Sequence, residues 1–327
     1  MIIVRTPFRI SFAGGGSDLP DFFKKNGGAV ISTTIDKYIH VAVHPYFEKN
    51  KILLKYNQTE EVRHPQDLQN HIARATLSHL KINGLEIASS GDLPSRTGLG
   101  SSSSFAVSLY HAIATYLNKK VSPEDLAKYA CATEIKRLKY PIGKQDQYAA
   151  AYGGLNFYRF EKDGTVTVEP IKISAKKKKE LDENLILFYT GIERSANDIL
   201  KEQKYNIKKT KVTVESLKKM VEITYEMRHS LEREDLEQFG KLLHKGWMLK
   251  RSVASSITNL EIDKYYNIGL KNGALGGKLL GAGGGGCLLF YCKKKDQEKL
   301  KKSLHKLRHI PFSFGNTGSE ILYQDLS

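Results

Sequence analysis

A run of glycines and serines set between a strand and a helix constrains this chain more than any other feature. Residues Leu85 to Ala88 are apolar enough for a strand. Past Asp92-Leu93-Pro94-Ser95-Arg96-Thr97-Gly98-Leu99-Gly100-Ser101-Ser102-Ser103-Ser104, the apolar positions Phe105, Leu109, Ile113 and Tyr116/Leu117 recur at helical spacing. The serines therefore fill the first turn of an amphipathic helix that opens near Ser101. Gly98 and Gly100 carry no Cβ, so their amides can approach a polyphosphate without obstruction. The helix start adds unpaired N–H groups and the positive end of its dipole. A flexible Gly/Ser linker would not have an apolar strand on one flank and a striped helix on the other. The stretch thus predicts a cradle for the phosphates of ATP, with a serine hydroxyl in reach of the magnesium ion that accompanies them.

The rest of the chain divides around this cradle. Strand-like segments at Ile2 to Val4, Arg9 to Phe12, Val30 to Thr34, Tyr38 to His44 and Ile52 to Lys55 precede it, so the first half reads as α+β. A helix is predicted from Pro123, after Ser122, to about Leu138. Gly143 to Gly154 follows as a loop or short helix, then a hairpin of Leu155 to Phe160 with Thr165 to Pro170 around Lys162-Asp163-Gly164. A boundary near 170 divides the 327 residues into domains 1–170 and 171–327, each long enough for its own core. The second half reads as a strand Leu185 to Tyr189 and helices at Ala196 to Lys208, Val212 to Leu231, Leu236 to Ser252 and Glu261 to Asn272, the last ended by Gly273. A glycine loop, the strand Cys287 to Tyr291, a lysine-rich helix and closing strands complete it.

Several other segments carry chemistry-bearing residues. Glu134 on the second helix and Asp146 in Gly143-Lys144-Gln145-Asp146-Gln147 are candidates for a magnesium ligand and for a group that orients or deprotonates an attacking hydroxyl. Taken alone, either acid reads more readily as an ordinary surface group. Pro7-Phe8-Arg9-Ile10-Ser11-Phe12-Ala13-Gly14-Gly15-Gly16-Ser17-Asp18 ends a strand in glycines and a carboxylate. Asp18 can accept hydrogen bonds from vicinal hydroxyls and Arg9 can face a migrating phosphoryl group, or Asp18 simply caps the next helix. Gly281-Ala282-Gly283-Gly284-Gly285-Gly286 satisfies the letters of GxGxxG but precedes a strand instead of a helix, so a dinucleotide fingerprint is rejected. It reads as a structural turn or a loop for close backbone approach.

Three of these segments, Pro7 to Asp18, Leu93 to Ser104 and Lys278 to Cys287, resemble in order the three motifs of the GHMP kinase superfamily, named for galactokinase, homoserine kinase, mevalonate kinase and phosphomevalonate kinase. The resemblance implies a two-domain α+β fold, an N-terminal domain with a left-handed β-α-β crossover and a ferredoxin-like C-terminal domain. It implies that Gly98, Leu99, Gly100, Ser101, Ser102, Ser103 and Ser104 wrap the ATP phosphates, that Ser102 and Glu134 hold Mg2+, and that Asp146 and Arg9 are catalytic. Gly15, Gly16, Ser17, Asp18 and Asp146 would bind sugar, and Gly281, Gly283, Gly284 and Gly285 would pack against the nucleotide loop. The Ala-Gly-Gly-Gly-Ser-Asp form of the first motif, and Thr190 to Leu200, look most like bacterial D-glycero-D-manno-heptose 7-phosphate kinases. Arg194 and Ser195 would then contact the phosphate already on the sugar. The implied reaction makes heptose 1,7-bisphosphate for nucleotide-activated heptose and surface polysaccharide. A fucose, galactose or mevalonate kinase, or a non-catalytic nucleotide- or nucleic-acid-binding relative, stays open as an alternative.

Composition bears on partners. The net charge of +16 comes largely from lysine runs such as Lys176 to Lys179 and Lys293 to Lys295. No aromatic platform interleaves them, so nucleic acid is not expected and a positive field that gathers phosphorylated metabolites is. No apolar run approaches the roughly 20 residues that span a bilayer, and Met1 to Arg5 reads as a strand with no leader, so a cytoplasmic protein is expected and a membrane partner is not. Cys131, Cys287 and Cys292 form neither a disulfide framework nor a zinc pattern and read as buried apolar residues. A homodimer is left open.

Overall fold

A computed structural model of the chain describes residues 1–193 and 196–325. The spine of the first half is the 18-residue strand Gly28–Pro45. Along one edge it pairs with Ile2–Ala13; along the other, residues 28–33 pair with Leu155–Phe160 and residues 39–45 with Leu85–Gly91. The predicted pieces 2–4 with 9–12, and 30–34 with 38–44, are thus two continuous strands. Their apparent breaks mark a bulge, where Pro7 opposes Tyr38 but Arg9 opposes Thr34. Such an irregularity bends the strand and re-aims the side chains beside it, here Arg9. Ile52–Lys55 joins Leu85–Gly91 in a parallel pair, closing a β-α-β unit through the helix His71–Leu80. The helix Ser101–Tyr116 packs against Ile2–Ala13 and Gly28–Pro45, burying Phe105, Leu109 and Ile113 as its stripe requires.

The second half carries a four-stranded antiparallel sheet in the order Arg308–Ile310, Leu185–Tyr189, Cys287–Cys292, Ala274–Leu279. Fourth, first, third, second is the ferredoxin-like order, and helices link first to second and third to fourth. Strand Ala274–Leu279, which carries Gly276-Gly277, was not expected. Its glycines serve close packing: a Cβ on Gly276 would fall 2.1 Å from Gly240 O, and one on Gly277 2.5 Å from Leu289 O. Helices His71–Leu80 and Ala175–Glu183 were likewise unexpected; Asn70 and Ser174 cap them through Ala73 N and Lys177 N. The run Lys176 to Lys179 rides on the second of these.

The two halves share apolar packing. Phe8, Ile10 and Phe12 of the first strand sit in one cluster with Leu231, Phe239, Leu280 and Leu289, and the Phe12 and Phe239 rings meet edge-on at 5.2 Å. The strand Glu320–Gln324 returns to pair with Ile2–Ala13, so the end of the chain belongs to the first sheet. All three cysteines are buried and free. Among the described residues, no helix is long and apolar enough to cross a membrane.

Candidate active site

The bulge at Pro7 aims Arg9 across the sheet into a cleft of about 650 Å³, a usual size for a small-molecule site. There Arg9 Nε and Nη2 donate to Asp146 Oδ1 and Oδ2 at 2.8 and 2.6 Å, and Nη1 donates to Gly98 O at 2.6 Å. This is the planar two-point pairing that holds a guanidinium and a carboxylate in one orientation. Asp146 stands in the first turn of Gln145–Tyr152 with its side chain 25% exposed, so it faces the cleft, while the Arg9 side chain is 4% exposed. Gly100, at φ +80°, lies directly over the arginine; a Cβ there would come within 3.3 Å of Arg9 Cγ. The glycine loop and the catalytic candidate are therefore fastened by one side chain.

Asp18 forms the neighbouring wall. It is 2% exposed, and its carboxylate accepts from Gly16 N at 2.9 Å and Gln145 N at 3.1 Å. Burial raises its pKa despite those two donors. The cap expected of Asp18 is absent, since helix Pro20–Asn26 begins after Leu19 with no side-chain cap. Gly15 and Gly16 lie beside this wall, Gly15 facing the Gln145 amide. Ser17 does not join them: its hydroxyl donates to Ala29 O and accepts from Ala29 N, so it is tied to the backbone of strand Gly28–Pro45 and does not line the cleft. Gly143, to which the sequence reading gave no role of its own, is required here, because a Cβ on it would fall 1.9 Å from Asp18 Oδ2 and 2.9 Å from Asp18 O. Gly143→Ala is expected to lower kcat/KM for the acceptor about tenfold or more and to cost roughly 1–3 kcal/mol of stability from overpacking. Steady-state kinetics with a thermal melt checks this, and unchanged kinetics would mean that Asp18 has room to move.

The serine turn divides by depth. Ser101, Ser102 and Ser103 line the cleft, Ser103 from a buried position, whereas Ser104 is buried behind it. Ser104 Oγ donates to Pro7 O and its amide to Gly100 O, so Ser104 serves the fold and offers the cleft no hydroxyl; Leu99 is likewise fully buried, its carbonyl accepting from Arg9 N. Ser102 and Ser103 donate to Glu134 Oε1 and Oε2 at 2.6 and 2.7 Å, and Gln147 Nε2 donates to Oε2 at 2.6 Å. Glu134 has no exposed surface, and burial pushes its pKa up. Its helix runs as α only over Pro123–Cys131. From Ala132–Arg137 it widens into one π turn, with Leu138 N donating to Thr133 O, five residues back. Such a turn shifts the side chains it carries relative to a regular helix.

The third glycine segment supplies close approach of backbone to backbone. A Cβ on Gly281 would fall 2.7 Å from Gly98 Cα, one on Gly283 2.8 Å from Ile257 Cα, and one on Gly285 2.2 Å from Ile192 O. Gly284 N donates to Ile257 O. Two lysines behind it were given no role by the sequence reading: Lys250 stands alone on an otherwise ordinary helix, and Lys278 only opens the third motif. Lys250 lines the cleft, donates to Gly281 O at 3.1 Å, and is pushed down to about 8 by burial, with Asp18 and Asp146 acting against the shift and Arg9 with it. Lys278 is buried, donates to Ser11 O and Phe12 O, and is held well below the usual lysine range by burial. Arg96 and Glu193 form an exposed pair at 3.4 Å. The proposed substrate-phosphate residues Arg194 and Ser195 lie outside the described residues.

Two family models match this chain: the GHMP kinases N terminal domain over residues 67–154 and the GHMP kinases C terminal over 227–308. A D-glycero-alpha-D-manno-heptose 7-phosphate kinase of Campylobacter jejuni is 31% identical, with 97% of each chain covered. The chain is a GHMP kinase. A galactokinase of Pyrococcus furiosus is 25% identical over 87% of each chain. A crystal structure of a D-glycero-D-manno-heptose 1-phosphate kinase from Bacteroides thetaiotaomicron superposes with a TM-score of 0.81 at 21% identity, covering 99% of this chain and 100% of its own. The GHMP kinase described here accordingly has the two-domain α+β fold of that family and uses ATP as phosphoryl donor.

The cleft suits that donor. By helix geometry the amides before Ser104 have no internal acceptor and stand at the mouth of the Ser101–Tyr116 helix, beside Gly98 and Gly100 at φ +81° and +80°. The donor set also suits magnesium, which takes hard oxygen ligands and often only one or two carboxylates beside the substrate phosphates. Ser102 Oγ and Glu134 Oε1 lie together, and Oε1 accepts only one hydrogen bond. Among the described residues no cluster of three or more His, Cys, Asp or Glu could hold a metal by itself, so phosphate oxygens would have to complete the shell.

Proposed function

We propose that this GHMP kinase is a sugar kinase that transfers the γ-phosphoryl group of ATP to the anomeric hydroxyl of D-glycero-D-manno-heptose 7-phosphate. The product is the 1,7-bisphosphate. The observation that carries this reading is the Arg9–Asp146 pair beside Gly98, with Asp18 adjacent, in a chain 31% identical to a heptose 7-phosphate kinase. Phosphates on the Gly98 to Ser103 amides would bring the γ-phosphorus toward Arg9. Ser102 and Glu134 would hold Mg2+, which when bound neutralises charge on the phosphates.

Asp146 accepts a hydrogen bond from the sugar hydroxyl and takes its proton as the new O–P bond forms and the bond to ADP breaks. Arg9, locked by Gly98 O and Asp146, faces the charge on the transferred group and needs no rearrangement to do so. Asp18, held by two backbone amides, is placed to receive ring hydroxyls. Catalysis on this reading is positioning and electrostatics, as phosphoryl transfer requires.

The test is an ATP-consumption screen over heptose 7-phosphate, mannose, fucose, galactose and mevalonate, with phosphorus NMR to locate the new ester. The expected result is the highest kcat/KM on heptose 7-phosphate with the new ester at C1. Faster turnover of any other acceptor, or an ester elsewhere, overturns the assignment.

A further inference from the structure

The helix Ala196–Lys209 turns Asn197, Leu200 and Gln203 toward the cleft, three residues apart and so on one face, while Ile199 and Ile207 enter the apolar core. Gln203 is 1% exposed, yet neither its Nε2 nor its Oε1 has a hydrogen-bond partner. Other buried unpartnered atoms occur among the described residues, including Thr97 Oγ1 and Trp247 Nε1, but none of those residues lines the cleft. A buried amide with both ends unmet bears the desolvation penalty of a donor and an acceptor together, and such a group calls for an explanation.

The surroundings hold this amide in place. A Cβ on Gly16 would fall 2.2 Å from Gln203 Nε2 and 3.3 Å from Leu217 Cδ2, so the amide lies against the Gly16 backbone. Gly16 N in turn donates to Asp18. The glycine that ties Asp18 thus also leaves the room that Gln203 occupies, and a side chain at 16 would expel it.

We propose that the Gln203 amide is a specificity-determining group for the acceptor sugar, with Oε1 accepting from one hydroxyl and Nε2 donating to a second. The inference rests on reading the cleft as the acceptor site. Two hydroxyls of a polyol offer one donor and one acceptor at the spacing of an amide. A carboxylate or an alkyl chain would leave one or both ends unmet. An acceptor lacking either hydroxyl would leave the amide buried and unpaired in the complex, which is how polar sites reject deoxy analogues strongly.

The test uses the full chain and Gln203→Leu, which keeps roughly the same bulk and removes both polar atoms. KM for the acceptor is expected to rise about tenfold or more, with KM for ATP within about twofold of wild type. The melting temperature of the free protein should stay level or rise, because an unmet buried amide has been removed. A merely structural glutamine would instead lower the melting temperature and disturb both KM values together; that result, or an unchanged acceptor KM, overturns the inference. If wild type ignores heptose 7-phosphate but phosphorylates mannose, fucose or galactose, the substrate assignment fails and the same comparison on that sugar decides for or against Gln203. Turnover of no sugar at all overturns both.

Discussion

Asp146→Asn is expected to lower kcat by roughly a thousandfold while KM for ATP changes by less than about threefold. The amide of the variant can still accept one hydrogen bond from Arg9, but it carries no charge and takes no proton from the acceptor. Arg9 loses the anion that balances it at 4% side-chain exposure. Breaking a fully buried ion pair costs about 3–5 kcal/mol; with Asp146 a quarter exposed, about 2 kcal/mol is the better expectation. Steady-state kinetics, with an ATP-induced thermal shift as the independent readout of nucleotide binding, separates the two effects. Turnover near wild type would remove Asp146 from the chemistry. A lost ATP shift would mean that the pair mainly shapes the Gly98 loop.

Glu134→Gln should cut kcat by about a hundredfold or more and raise the magnesium concentration for half-maximal rate about tenfold. The fold should tolerate this change. Three donors converge on the carboxylate, but two are hydroxyls free to rotate, and Gln147 Oε1 has no partner. Turning the Gln147 amide over would present that oxygen to the new NH2 group. Glu134→Ala lacks this remedy, strands the Ser103 hydroxyl and the Gln147 amide in the interior, and is expected to melt several degrees lower. Rates titrated against Mg2+ at saturating ATP decide the matter, and an unaltered metal requirement would assign Glu134 to folding alone.

Much of this kinase can be read along the chain where local chemistry coincides with local structure. Gly98, Gly100 and the serines predict a helix mouth because glycine freedom and the onset of a 3.6-residue stripe adjoin along the chain; the helix begins at Ser101 as expected. The hairpin at Lys162 to Gly164 and the strand at Ile52 to Lys55 are local in the same way. Elements whose identity depends on what covers them are harder to read. The Gly276-Gly277 strand carries no local strand signal and is made by the close approach of a helix and a strand, and the helix through Glu134 looks regular until its π turn is seen.

The site divides along the same line. From sequence alone come the residue types for phosphate, metal and acceptor and the order of the motifs that carry them, because amide donors, hard oxygens and a paired carboxylate are chemical requirements written in side chains. Which serines face outward, that Ser17 and Ser104 turn inward, that Gly143 must lack a side chain, and that Lys250 and Gln203 join the cleft from helices with no motif were decided only by tertiary structure. The reason is that burial and the direction of a side chain depend on contacts between segments more than a hundred residues apart, such as Arg9 with Asp146, and no local pattern encodes them.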